Sequence, residues 1–222
     1  MKNLINICKM LPILLLVLGS CKEKSADPQN AVISTSELAD YYLVAERTNT
    51  NQRLVVFYFT KDGDAVTASS HLQYALRVKE VNVENSIFSF DFDSDGKFVY
   101  TFELERDANG NLKLKSSSYS YSGGANELSF ATIAKRTDAI SFENDEFRTG
   151  SSPIKFGKDI TSNASIIKWF DNGIYPFYML GNVGFKTNNG QLFGAVVPSW
   201  KNISSPVMLV ESEDEVLVSI KQ

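Results

Sequence analysis

Thiols are nearly absent from this chain. It has two cysteines in 222 residues, Cys8 and Cys21, both at the N-terminal end. Everything after Cys21 therefore has no disulfide partner, no thiolate for a metal and no cysteine nucleophile. Histidine is scarcer still, with His71 the only one. Catalytic zinc commonly takes two or three histidines and a non-haem iron facial triad takes two, so one chain with one His excludes both. A Ser-His-Asp triad would have to run through His71. That residue ends the polar stretch Ala68-Ser69-Ser70-His71 and reads as a solvated loop histidine.

Positive charge is also in short supply. Lys and Arg number 22 against 26 Asp and Glu, a formal net charge of −4. No run of Lys and Arg offers itself to a phosphate backbone, so nucleic-acid binding is excluded. Long hydrophobic runs are missing too. Met10 to Leu18 is the main apolar stretch, well short of the ~20 residues that span a bilayer. What the chain has in quantity is aromatic side chains, 15 Phe, 9 Tyr and 2 Trp, enough for a sizeable core.

The first stretch has the layout of a secretory signal: a basic start (Lys2, Lys9), the apolar run, then Gly19-Ser20. Leu18-Gly19-Ser20-Cys21 resembles the lipobox of bacterial lipoproteins, with Leu three before the cysteine and two small residues between. The resemblance implies a lipoprotein precursor. Residues 1–20 would be removed, and Cys21 would become the acylated N-terminus. Met1–Ser20 holds two lysines and no acid, so the mature side chains would sum to −6. Lys22 stands where an aspartate would resemble an inner-membrane retention signal, which points to the outer membrane and leaves the leaflet open.

Lys22 to Asn30 is polar and includes Asp27-Pro28, and residues 21–36 read as a flexible tether. Ser34, Thr35 and Glu37 have capping-box spacing ahead of Leu38, but order is expected from about Tyr41. From there strand and turn signals repeat. Phe88, Phe90 and Phe92 alternate with Ser89, Asp91 and Asp93, a period of two. Asp95-Gly96, Asn109-Gly110 and Asn188-Asn189-Gly190 separate such runs as hairpin turns. Phe142 to Asn163 is weaker, mixed and polar, so a seam is placed at 143–163 within a β-rich domain over 37–222. Ile166, Ile167 and Phe170 recur at helical spacing, and one or two helical turns are expected over Ala164–Phe170. The fold expected is all-β and mainly antiparallel: a barrel or sandwich of consecutive hairpins, with at most one or two short helices. The opening half resembles the lipocalin-like β proteins, on the hairpins that follow Asp40-Tyr41-Tyr42-Leu43-Val44. Ala39-Asp40-Tyr41 replaces the Gly-x-Trp of that superfamily.

Few residues carry candidate chemistry. Asp91-x-Asp93-x-Asp95-Gly96 matches the first half of a calcium loop. The position of its bidentate glutamate is Phe102, so hairpin-turn roles are expected for Asp91, Asp93 and Asp95 and no metal is assigned. Asp107, Asn109 and Asn111 read as another turn. Glu211, Glu213, Asp214 and Glu215 read as a solvated acidic turn. Trp169, Phe170, Tyr175, Phe177 and Tyr178 crowd a segment containing Gly173 and Pro176, with Trp200 beyond Pro198. Flat aromatic faces suit sugar stacking or an interface, although core or turn packing is the commoner role for such residues, and Trp169, Tyr175, Tyr178 and Trp200 are the candidate ligand-binding residues. The expectation is a lipid-anchored envelope lipoprotein acting as a non-enzymatic binding or accessory module without cofactor. Its partners would be the membrane and a glycan, a small apolar ligand or an envelope protein. A glycan-directed carboxylate hydrolase and a structural subunit of an envelope complex are the alternatives.

Overall fold

The computed structural model describes residues 32–48, 50–121, 127–136, 145–149, 152–170, 173–181, 183–212 and 215–222. The signal, Cys21 and most of the tether lie outside the described residues.

A 3-10 helix, Thr35–Asp40, precedes the first strand, so ordered structure begins earlier than Tyr41. The Glu37 carboxylate accepts from the Ser34 backbone N–H at 3.0 Å and pairs with Arg106 at 2.9 Å, while Leu38 is fully buried beneath. The capping-box spacing was thus a real start signal.

Nine strands follow: β1 (Tyr41–Arg47), β2 (Leu54–Asp62), β3 (Ala65–His71), β4 (Leu76–Glu80), β5 (Val83–Glu84), β6 (Ile87–Asp91), β7 (Phe98–Arg106), β8 (Leu112–Tyr121) and β9 (Leu128–Lys135). They form a five-stranded sheet, β4-β3-β2-β1-β9, and a four-stranded sheet, β5-β6-β7-β8. All described pairings in both are antiparallel. One aromatic core lies between the two sheets. Phe57 meets Phe88, Phe90, Tyr100 and Phe102 edge-on, with ring centroids 5.3–6.0 Å apart. The alternation of Phe88, Phe90 and Phe92 aims all three rings into this core.

The second unit is a closed barrel of eight antiparallel strands: β10 (Glu146–Thr149), β11 (Ser152–Lys158), β12 (Ser165–Trp169), β13 (Gly173–Leu180), β14 (Gly184–Thr187), β15 (Leu192–Val197), β16 (Val207–Ser212) and β17 (Glu215–Lys221). Closure comes from β10 pairing with β17, Phe147 opposite Lys221. Its interior is packed around Phe156, whose ring meets Phe147, Phe177 and Phe185 edge-on at 5.3–6.0 Å.

Two expectations are corrected here. Ala164–Phe170 is not helical: Ser165–Trp169 is strand β12, paired with β11 on one side and β13 on the other. Ile166 and Ile167 are β-branched and suit a pleated surface. Two flanking ladders outweigh a helical spacing that spans only a few residues. Second, the polar stretch 143–163 holds β10 and β11 of the barrel, so the change of unit comes earlier, between β9 and β10. In β11, Ile154 and Phe156 face the barrel core and Lys155 faces away, an alternation too short to stand out in the sequence.

The two units pack outer face against outer face. Tyr42, Val44, Leu54, Val56 and Ala134 of the first sheet meet Leu180, Phe193, Ala195, Val197, Val207 and Leu209 of the barrel. This explains β1, β15 and most of β16, which are buried at successive positions instead of alternate ones. A strand covered on both faces reads as a continuous apolar run.

Candidate functional site

The seam between the units has an apolar middle and a polar cluster at each end. In the middle, Tyr42 donates its hydroxyl proton to the Val196 carbonyl at 2.7 Å. Burial pushes that phenol above its ordinary range.

At one end, Glu211 on β16 reaches the start of β2. Its carboxylate accepts from the backbone N–H of Arg53 and, at 3.4 Å, of Leu54. Glu46 on β1 lies beside it, paired with Arg53 at 3.2 Å and Lys201 at 2.8 Å. Glu211 is completely buried. Burial pushes its carboxyl up to about 7, against the two backbone hydrogen bonds that favour the charged form. The solvated acidic turn expected over Glu211, Glu213, Asp214 and Glu215 is therefore corrected at Glu211, while Glu215 is exposed and Glu213 and Asp214 lie outside the described residues. Glu211 follows Val207 and Leu209 on the outward side of β16, and the first unit covers that side.

At the other end lie His71 on β3 and Tyr58 on β2. Their rings stack with centroids 5.3 Å apart, and His71 Nε2 lies 3.4 Å from the Tyr58 hydroxyl. His71 is 7 % exposed, not a solvated loop residue. Burial, helped by the Lys186 ammonium, draws its pKa down to about 4 and keeps the ring neutral. Tyr58 also packs over Gly181, whose φ is +54°. A Cβ at Gly181 would stand 2.5 Å from the tyrosine ring, so this turn needs glycine twice over. Arg136 ties the units here, donating to the carbonyls of Phe59 at 3.0 Å and Gly181 at 3.1 Å.

The structure disperses the four candidate ligand-binding residues. Trp200 is 1 % exposed, buried in the seam with its ring 4.7 Å from Phe130. Trp169 sits partly buried against the barrel core, beside Phe170 at 4.5 Å. Tyr175 faces the same core, while Tyr178, three residues on, faces outward and is 48 % exposed. The crowding of aromatics in the sequence is thus a pair of strands alternating between core and surface. Of the four, Tyr178 alone presents a broad face to solvent.

The three aspartates of the half-matched calcium loop all have protein partners. Asp91 accepts from the backbone N–H of Ser94 at 3.0 Å and Gly96 at 2.8 Å, closing the β6–β7 turn. Asp93 pairs with Arg77 at 3.1 Å and Asp95 with Lys97 at 2.8 Å. Asp107 closes the β7–β8 turn likewise, accepting from Asn109 and Asn111. Among the described residues, no three His, Cys, Asp or Glu side chains converge as a metal site.

Sequence reasoning missed that the fold brings Lys186 near enough to His71 to act on its charge, since the two lie far apart in the chain. The available signal was the alternation Ser69, His71 on β3, which places both on one face of the sheet. Comparison of the chain with family models, with curated proteins and with solved structures finds no match.

Proposed function

We propose that this chain is a lipid-tethered protein of the bacterial outer membrane, anchored through Cys21, whose two β units form a non-enzymatic binding or accessory module. The lipobox-like Leu18-Gly19-Ser20-Cys21 supports the anchor. The observation that carries the binding role is the His71 end of the seam. Aromatic side chains pack the interiors of both units, which leaves recognition to the surface. Here exposed Tyr74, Leu76 and Tyr178 flank the buried His71 and the half-buried Lys186. Glu46 and Glu211 are the two acids a hydrolase reading would use. Glu211, though, is covered on all sides and engaged with backbone N–H groups, so it serves to join the units.

The test is the intact mass of the membrane-extracted protein. The expected mass is that of a chain starting at Cys21 with acyl groups added, and Cys21→Ser retains residues 1–20 and gains no lipid. A mature form without lipid mass overturns the anchor.

A further inference from the structure

We propose that the His71 end of the seam binds a carboxylate that stands beside an amide N–H and an apolar side chain, as at a peptide C-terminus, with Lys186 as its counter-ion. The inference rests on the binding role proposed above and names its ligand class.

Lys186 is on the outer face of β14, half-buried between the units. Among the described residues no carboxylate pairs with it, whereas Arg53, Arg77, Lys97, Lys113, Lys115 and Lys201 each have an acidic partner. Tyr178 is the cross-strand neighbour of Lys186 on β13. The Tyr74 ring lies against Gly190 as the Lys186 stem does, within 3.3 and 4.0 Å of the point where a Cβ would stand. His71, near enough for the Lys186 charge to act on its ring, stacks on Tyr58 in the first unit. A partly desolvated ammonium without an anion is an incomplete pair.

Two further observations define the ligand. Gln73 is 1 % exposed and donates Nε2 to the Gln191 carbonyl at 3.2 Å, next to Gly190, while its Oε1 has no partner. An amide N–H supplies what that acceptor lacks. Leu76 pairs with His71 across β3–β4 and, like Tyr178, is about half exposed. Leu76 beside His71 and Tyr178 beside Lys186 give this end two apolar surfaces. A ligand with carboxylate, N–H and aliphatic side chain meets all three features, and a fatty carboxylate meets two.

The experiment uses the full chain in non-ionic micelles with ¹³C-labelled histidine. His71 is the only histidine, so one signal reports the site. N-acetyl-leucine is titrated beside N-acetyl-leucinamide and hexanoate. The expected result is a saturable shift of the His71 signal by N-acetyl-leucine. The amide, which loses a charge-assisted hydrogen bond, and hexanoate, which leaves Gln73 Oε1 without a donor, should each bind about tenfold more weakly, or worse. Lys186→Gln should weaken N-acetyl-leucine by a similar factor while its thermal midpoint stays close to the parent's. An unmoved signal, equal binding by Lys186→Gln, or hexanoate binding as tightly as N-acetyl-leucine each overturns the proposal. The mass of Cys21 is an independent readout. An acylated protein that ignores N-acetyl-leucine loses this ligand and keeps its anchor, and an unacylated one that binds it does the reverse.

Discussion

Glu211 and Arg53 are 158 residues apart in the chain, and the carboxylate of one accepts the backbone N–H of the other. A barrel strand thereby caps the start of a strand in the other unit. The junction is held by a directional bond as well as by apolar area.

Glu211 sets the direction in which pH acts on this junction. Its folded value, about 7, lies above the ordinary carboxylate value of 4.5, so the neutral form favours folding. That contribution is full below about 4.5 and is lost as pH rises through 7. Glu211→Gln keeps an acceptor and removes the charge. Urea melts should show the variant gaining on the parent from pH 5 to pH 8, and a gap that does not change with pH would contradict the shift. Glu211→Ala leaves two buried N–H groups unpaired and should cost about 1–3 kcal/mol.

His71 acts with the opposite sign over the same range. Its folded value, about 4, lies below the ordinary 6.5, so burial favours the neutral ring. The stability it contributes is present above 6.5 and is lost as pH falls through 4. His71→Phe keeps the stack on Tyr58 without the titration. Its acid limb between pH 6 and pH 4 should be shallower than the parent's, and identical limbs would refute the assignment.

The two tryptophans should separate in stability measurements. Trp200→Ala empties a buried site in the seam and should cost about 3–5 kcal/mol. Tyr178→Ala removes an exposed ring and should stay within about 0.5 kcal/mol. Trp169→Ala, at the partly buried edge of the barrel core, should fall between them. Denaturant midpoints rank the three, and Tyr178→Ala ranking above Trp200→Ala would reverse the burial described.

Calcium should leave the fold unaffected. The Asp91, Asp93 and Asp95 carboxylates already hold the β6–β7 turn or pair with Arg77 and Lys97. Thermal midpoints with calcium and with chelator should coincide. A rise of several degrees with calcium, lost in Asp93→Asn, would show a site at this turn.

What the sequence determined by itself was local. Phe88, Phe90 and Phe92 declare a strand and its buried face, because side chains alternate every residue whatever the partner. Asp95-Gly96 and Asn109-Gly110 declare hairpins, because Gly96 and Gly110 take positive φ at little cost. Those signals sufficed for an antiparallel all-β chain. The tertiary structure decided the outward faces. Glu211 and His71 stand next to polar or turn residues and read as exposed, and Trp200 reads as a candidate for ligand binding. Each is buried because a second β unit docks on the face it occupies. β12 is a strand for a related reason, since neighbours on both sides complete its backbone hydrogen bonds. Docking of two units joins residues more than a hundred positions apart, and its energy resides in the fit of two completed surfaces, a property that no short window of sequence contains.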